Sequence, residues 1–310
     1  MTPAQVRALD AISGRDGIVI GVAADHRDAF RAALRKCGLA DVPDAWVTDF
    51  KLRLARALGD GATVMLLDAE YAAGQAIVAG ALPGTTALAV PLEAQGYGDV
   101  ASVDRTTFLP GWGPAQARRL GAAACKLLLP YRVDVPEQAA AQEDVVRAAV
   151  AGCREHGLAL ILEPIVYARP GEDRGGARFP QLVIEGARRL AALGPDLLKL
   201  QYPGSYEACL ELDAACGPAT PWVLLGGGAD ERSLLAQVAD ASRAGASGFI
   251  VGRTLFDAAL VDDRDASEHA LATVSRPMLD RLAATARASA TSWRERVGPL
   301  PEPPRDWYRA

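Results

Sequence analysis

Lysine is scarce in this 310-residue chain: of 33 basic residues, 29 are arginine and four are lysine, Lys36, Lys51, Lys126 and Lys199. Arginine keeps its proton at any physiological pH, whereas a desolvated lysine can give up its proton and act as a nucleophile. Lys199 sits among leucines in DLLKLQYPG. Burial in such a strand is expected to lower its pKa and expose a neutral amine able to form a Schiff base with a carbonyl. Lys126 repeats the pattern in AACKLLLPY. A second cation there would depress the Schiff-base lysine further, bind a phosphate or help move protons. The alternatives are structural: Lys199 as an anion contact or paired with a buried carboxylate, and Lys126 as the ion-pair partner of Glu163. Lys36 and Lys51 fall on predicted helices, where arginine would serve as well.

Two carboxylates stand at strand ends, Glu163 in LALILEPIVY and Asp25 in IVIGVAADHR. Acids so placed divide general acid and base work according to environment. Each can instead be a helix cap, Asp25 for a helix starting near Asp28. His26 reads as a solvated loop histidine, with substrate contact as the other option. Two further segments, LLGGGAD and FIVGRTLF, supply Gly226, Gly227, Gly228, Gly252 and Arg253. Glycine turns before helices let backbone amides approach an anion, and Arg253 adds a guanidinium. The segment YARPGEDRGGARFP, with Arg169, Arg174 and Arg178, is either a lid with a second anion contact or a solvated loop. Trp307 and Tyr308 in the tail could fold over a site or a subunit partner.

The elements that must position these residues are eight short apolar runs: Ile18 to Ala24, Thr63 to Leu67, Thr85 to Val90, Ala123 to Leu129, Ala159 to Leu162, Asp196 to Leu200, Trp222 to Leu225 and Gly248 to Val251. Nearly continuous apolar character marks parallel strands buried on both faces. Amphipathic segments such as EDVVRAAVAGCREHG and DERSLLAQVADASRAG separate them. Eight strand–helix units in about 250 residues match an α/β fold of the (β/α)8 TIM barrel class, in which catalytic groups gather at the C-terminal strand ends. A doubly wound sheet would ordinarily need fewer strands. One barrel domain over 1–295 and a proline-rich tail over 296–310 are expected.

Composition removes other classes. A net charge of −5, scattered arginines and 6% aromatic residues speak against nucleic acid. No apolar run approaches the roughly 18 residues of a membrane span, and the N-terminal segment lacks a signal-peptide layout, so a cytosolic protein is expected. Five widely spaced cysteines and three separated histidines disfavour disulfides and a metal centre.

Taken in order, Asp25 in AxDxR, Asp68 in LLDAEY, Lys126 in AxKLLLxY, Glu163 in LEPIV, Lys199 in LLKL and Gly252-Arg253 in GFIVGRTLF resemble the class I aldolases of the tagatose 1,6-bisphosphate aldolase type. The sulfofructose 1-phosphate aldolases are similar too. The resemblance runs from about residue 16 to about 290. It implies that Lys199 is the Schiff-base lysine, that Glu163 and Lys126 handle carbinolamine dehydration, that Asp25 contacts substrate hydroxyls, and that Gly227, Gly228, Gly252 and Arg253 cradle the C1 phosphate. It implies no cofactor or metal.

The chain departs from the family pattern at three places. Gly226 to Gly228 contains no serine, Gln201 replaces an acid, and His26 stands where glutamine is common. The DHR triplet and GRTLF also resemble the aldolase-like domain of inositol catabolism, whose substrate is a deoxy-ketogluconate phosphate. The expected protein is a homo-oligomeric aldolase acting on a small phosphorylated ketose. Its rivals are a phosphosugar isomerase or epimerase with Glu163 as base, and a non-catalytic sugar-phosphate binder.

Overall fold

A computed structural model of the chain describes residues 1–94, 103–169, 171–172, 176, 178–300 and 302–305. In chain order its elements are α1 (Pro3–Ser13), β1 (Val19–Ala24), α2 (Asp28–Lys36), α3 (Asp44–Leu58), β2 (Val64–Leu67), α4 (Ala73–Val78), β3 (Ala87–Pro91), α5 (Pro114–Leu120), β4 (Ala124–Pro130), α6 (Pro136–Glu155) and β5 (Ala159–Ile165). They continue with α7 (Arg178–Ala191), β6 (Leu197–Leu200), α8 (Tyr206–Cys216), β7 (Trp222–Leu225), α9 (Glu231–Arg243), β8 (Gly248–Val251), α10 (Arg253–Phe256), α11 (Arg264–Ala270), α12 (Arg276–Arg287) and α13 (Trp293–Val297).

The eight strands pair in parallel in chain order, and β1 closes on β8 with Val19 opposite Gly248 and Val22 opposite Val251. The (β/α)8 barrel expected from the eight apolar runs is therefore the fold. Strand boundaries agree within a few residues; β5 is the longest extension, because Ile165 still accepts a hydrogen bond from the Tyr131 amide at 3.0 Å. Glu163 accordingly lies within a strand rather than after one.

Side-chain alternation sorts the strand residues into two cores. One set, including Val22, Met65, Leu88, Leu127, Leu160, Leu198 and Phe249, packs outward against the helices. The other, including Val19, Val64, Ala89, Ala124, Ile161, Leu197, Val223 and Ile250, fills the barrel with Leu9 and Ile12 of α1 and with Trp293 of α13. Lys126, Glu163 and Lys199 each follow an inward residue by two positions, after Ala124, Ile161 and Leu197. The same parity that fills the barrel thus turns all three polar side chains into its C-terminal mouth. The opposite mouth is closed: Gln5 donates to Asp196 at 2.7 Å and the Trp293 indole donates to Ser13 at 3.0 Å, both buried.

Barrel closure depends on a glycine at the start of β8. Gly248 has φ +115°, and a Cβ there would lie 2.0 Å from the Val19 carbonyl oxygen. Gly74, in α4, is the opposite case, since a Cβ added to it would meet nothing within 4 Å. In urea unfolding, Gly248→Ala should cost roughly 3 kcal/mol or more, or prevent folding. Gly74→Ala should stabilise by about 0.4–1 kcal/mol, since alanine narrows only the unfolded ensemble.

Candidate active site

At the C-terminal mouth, Lys199 Nζ lies 2.8 Å from Glu163 Oε1. Lys126 Nζ is held by three carboxylates: Asp25 at 2.8 Å, Glu93, and Glu163 Oε2 at 3.4 Å. All five side chains are buried. Glu163 therefore spans the two ammonium groups, and its Oε2 makes no hydrogen bond.

Charge follows from these contacts. Burial alone would lift the Asp25 carboxyl, but the Lys126 ammonium, helped by Lys199, holds it far below the usual carboxylate range. Burial likewise disfavours the charged form of Lys126, yet Asp25, Glu93 and Glu163 together hold its proton well above the ordinary lysine value. Glu93 is pushed upward by burial, against the pull of Lys126. Lys126 is thus a fixed cation whose charge is already matched by its neighbours. Of the roles expected for it, the ion pair with Glu163 is present, and it extends to Asp25 and Glu93, so that Lys126 orders three carboxylates.

Several residues take up positions that the sequence does not suggest. Asp25 does not cap α2: the N-cap is Arg27, without a side-chain cap. His26 is half-buried rather than solvated, with Nδ1 buried and unpartnered. Lys51 is not an exchangeable helix lysine. It is 1% exposed, pairs with the fully buried Asp68, and donates to the His26 carbonyl at 2.8 Å. Arg27 donates to the Glu93 carbonyl at 2.7 Å and to Glu70 at 3.1 Å. Together Lys51 and Arg27 tie the segments after β1, β2 and β3 into one platform under Asp25 and His26.

Glu93 escaped sequence reading although its signal is the one that found Glu163, an acid directly after an apolar strand, here AVPLE. Lys51 also left a trace. It falls on the buried stripe of α3 with Val47, Phe50, Leu54 and Leu58.

The two glycine turns meet across β7 and β8. Gly227 and Gly228 adopt φ +57° and +79°. A Cβ on Gly228 would come 3.2 Å from the Arg253 guanidinium, and one on Gly252 would come 2.5 Å from the Ala23 carbonyl. Thr254 Oγ1 donates to the Ala229 carbonyl at 2.7 Å, joining the turns. Gln201, at the position of the absent acid, accepts from the Val166 amide at 2.7 Å and so holds the chain leaving β5. Arg169 and Arg178 line neither lobe of the cavity described next, and Arg178 pairs with Asp134. Arg174, Trp307 and Tyr308 lie outside the described residues.

A two-lobed cavity opens over the lysine pair. One lobe, about 540 Å³, is lined by Asp25, Lys126, Asp257 and the α2 residues Arg35 and Lys36. The other, about 480 Å³, is lined by Gly226 to Gly228, Gly252 and Gln201. His26, Glu163, Lys199 and Arg253 line both. A carbonyl at the junction meets a buried amine with a carboxylate in hydrogen-bonding contact, the arrangement required for imine formation. Among the described residues, no group of three or more His, Cys, Asp or Glu is placed to hold a metal ion.

The chain is similar to several known proteins over most of its length. Tagatose 1,6-diphosphate aldolase 1 of Streptococcus mutans serotype c is 24% identical over 318 residues, spanning 93% of this chain and 97% of the relative. Tagatose 1,6-diphosphate aldolase 2 of Streptococcus agalactiae serotype III is 25% identical over 334 residues, spanning 96% and 99%. An archaeal fructose 1,6-bisphosphate aldolase superposes with a TM-score of 0.65 at 19% identity, covering 92% of this chain and 99% of its own. Another, with its catalytic lysine bound to the carbinolamine of the substrate, gives 0.63 at 20% identity, covering 90% and 99%. These structural likenesses establish the shared barrel. The model of the DeoC/LacD family aldolases matches residues 19–258, which is most of the chain and every strand of the barrel, and the chain belongs to that family.

Proposed function

We propose that this protein is a class I aldolase that cleaves a ketose 1-phosphate, of the tagatose or fructose 1,6-bisphosphate kind, through an imine on Lys199. The observation that carries the proposal is the 2.8 Å contact between Lys199 Nζ and Glu163 Oε1 at the junction of the two lobes. Glu163 takes the amine proton as Lys199 attacks the C2 ketone, and returns a proton to the departing carbinolamine hydroxyl. The iminium then accepts the electrons of the C3–C4 bond. Aldehyde leaves, C3 is protonated, and hydrolysis frees dihydroxyacetone phosphate.

The remaining residues bind and orient. Asp25, kept ionised by Lys126, accepts hydrogen bonds from substrate hydroxyls. The amides of Gly227, Gly228 and Gly252, with Arg253, take the C1 phosphate and hold the ketone against the amine. Such positioning contributes several kcal/mol of the barrier reduction, roughly 7 or more in the best-oriented systems. In the other lobe, Arg35 and Lys36 suit a distal anion, a phosphate or sulfonate. The same proposal takes the protein as a cytosolic homo-oligomer with one catalytic domain over 1–295, a tail from 296, no cofactor, and no nucleic-acid or membrane partner. An isomerase with Glu163 as base, or a passive binder, would give Lys199 no covalent role and would yield no borohydride adduct.

Borohydride reduction in the presence of dihydroxyacetone phosphate should place a single adduct on the peptide containing Lys199. Lys199→Ala should lose the adduct and at least about 10⁴-fold in kcat, while EDTA changes nothing. An adduct elsewhere, or a variant that retains turnover, contradicts the imine route. The double change Arg35→Ala and Lys36→Ala should raise KM for a ketose bisphosphate roughly tenfold, as expected for two exposed charge contacts of about 0.5–1 kcal/mol each. KM for the corresponding 1-monophosphate should stay unchanged, and equal effects on both substrates would remove the distal anion from this lobe.

A further inference from the structure

His26 lines both lobes, between the amine and the leaving-group side. Its ring is fixed. Phe256 packs edge-on with ring centroids 6.3 Å apart, and Cε1 lies so close to Gly252 that a Cβ there would stand 2.8 Å from it. Lys51 holds its carbonyl at 2.8 Å, Lys126 pins the preceding Asp25, and Arg27 after it is bound to the segments following β2 and β3. Phe256 and Gly252 crowd the ring itself, and the other contacts hold the backbone that carries it.

The protonation state follows from what the ring meets. Nδ1 is buried with no hydrogen-bond partner among the described residues. An imidazolium would place an N–H there with no acceptor, and an orphaned buried donor is costlier than an orphaned lone pair. The lone pair therefore belongs on Nδ1 and the hydrogen on Nε2, the other polar atom of a ring whose residue lines both lobes. Burial lowers the imidazole to about 4 against the attraction of Asp25, and the charges of Lys199 and Lys126 add to the lowering. The ring stays neutral at any ordinary working pH.

We propose that His26 donates from Nε2–H to the oxygen on C4, the carbon released as the aldehyde, and keeps its own proton throughout cleavage. The proposal rests on the imine reading above. As the C3–C4 bond breaks, its electron pair passes through C2 into the iminium nitrogen to give the enamine. The C4 hydroxyl proton goes to Glu163, and C4–O becomes a carbonyl. A fixed neutral donor stabilises the oxygen as its charge develops, and in the reverse direction polarises the incoming aldehyde. A glutamine amide in place of the imidazole would also offer an uncharged N–H.

The test compares the unaltered protein with His26→Phe and His26→Gln. All three should be trapped on Lys199 by borohydride with dihydroxyacetone phosphate and should exchange its C3 proton, since neither event needs the C4 oxygen. Cleavage should fall about 100-fold in His26→Phe, the size expected for loss of one donor to a developing oxyanion, and recover at least tenfold in His26→Gln. Intact trapping with His26→Phe turnover within threefold of the unaltered protein would overturn the contact alone, as would His26→Gln no better than His26→Phe. Failure to trap the unaltered protein would overturn the imine reading and this contact with it.

Discussion

Two ammonium groups inside an apolar barrel set the terms for everything around them. A lone buried ammonium is unstable toward losing its proton or its burial, so each must be matched locally. Here the matching is unequal. Lys126 meets Asp25, Glu93 and Glu163, whereas among the described residues Lys199 pairs with Glu163 alone. One lysine is consequently fixed as a cation, and the other is left with a single carboxylate, the group that the proposed imine route uses as proton acceptor. Two neighbouring lysines in similar strands thereby come to hold different work.

The surrounding structure maintains that inequality. Strand register places Leu128 opposite Glu163 and Lys126 opposite Ile161, which sets the heights of the two charges in the mouth. Glu93 reaches Lys126 from the segment after β3 and also accepts from the Leu128 amide at 3.2 Å, so it bridges adjacent strands. Beneath the segment after β1, the buried Lys51–Asp68 pair and Arg27 supply the positions of Asp25 and His26. Removing one member of such a buried pair typically costs about 3–5 kcal/mol, because the charge left behind has no partner. The polar end of the barrel is accordingly a single connected unit, while the opposite end, sealed by α1 and Trp293, contributes stability.

Much of this is legible in the order of residues alone. Continuous apolar runs specify buried parallel strands, and a lysine inside such a run, or an acid at its end, is anomalous enough to be noticed. That is why Lys126, Glu163 and Lys199 stand out. Residues whose role comes from long-range assembly do not. Glu93 follows its strand as an ordinary acid, and only the pairing of β3 with β4 brings it to Lys126. Lys51 lies on a helix that looks amphipathic, and its burial becomes meaningful only once Asp68 and the His26 carbonyl arrive from other elements. His26 reads as a loop residue because the packing of Phe256 and Gly252, over 220 residues downstream in the chain, has no local trace.

Because the chain has only four lysines, the difference between the two buried ones can be observed directly. Lysine selectively labelled with ¹³C at Cε gives one resonance per residue, each assignable by single substitution. With dihydroxyacetone phosphate added, the account predicts that the Lys199 resonance moves to an imine position while that of Lys126 keeps its ammonium position throughout the range in which an ordinary lysine loses its proton. An imine shift at Lys126, or no response at Lys199, would contradict it.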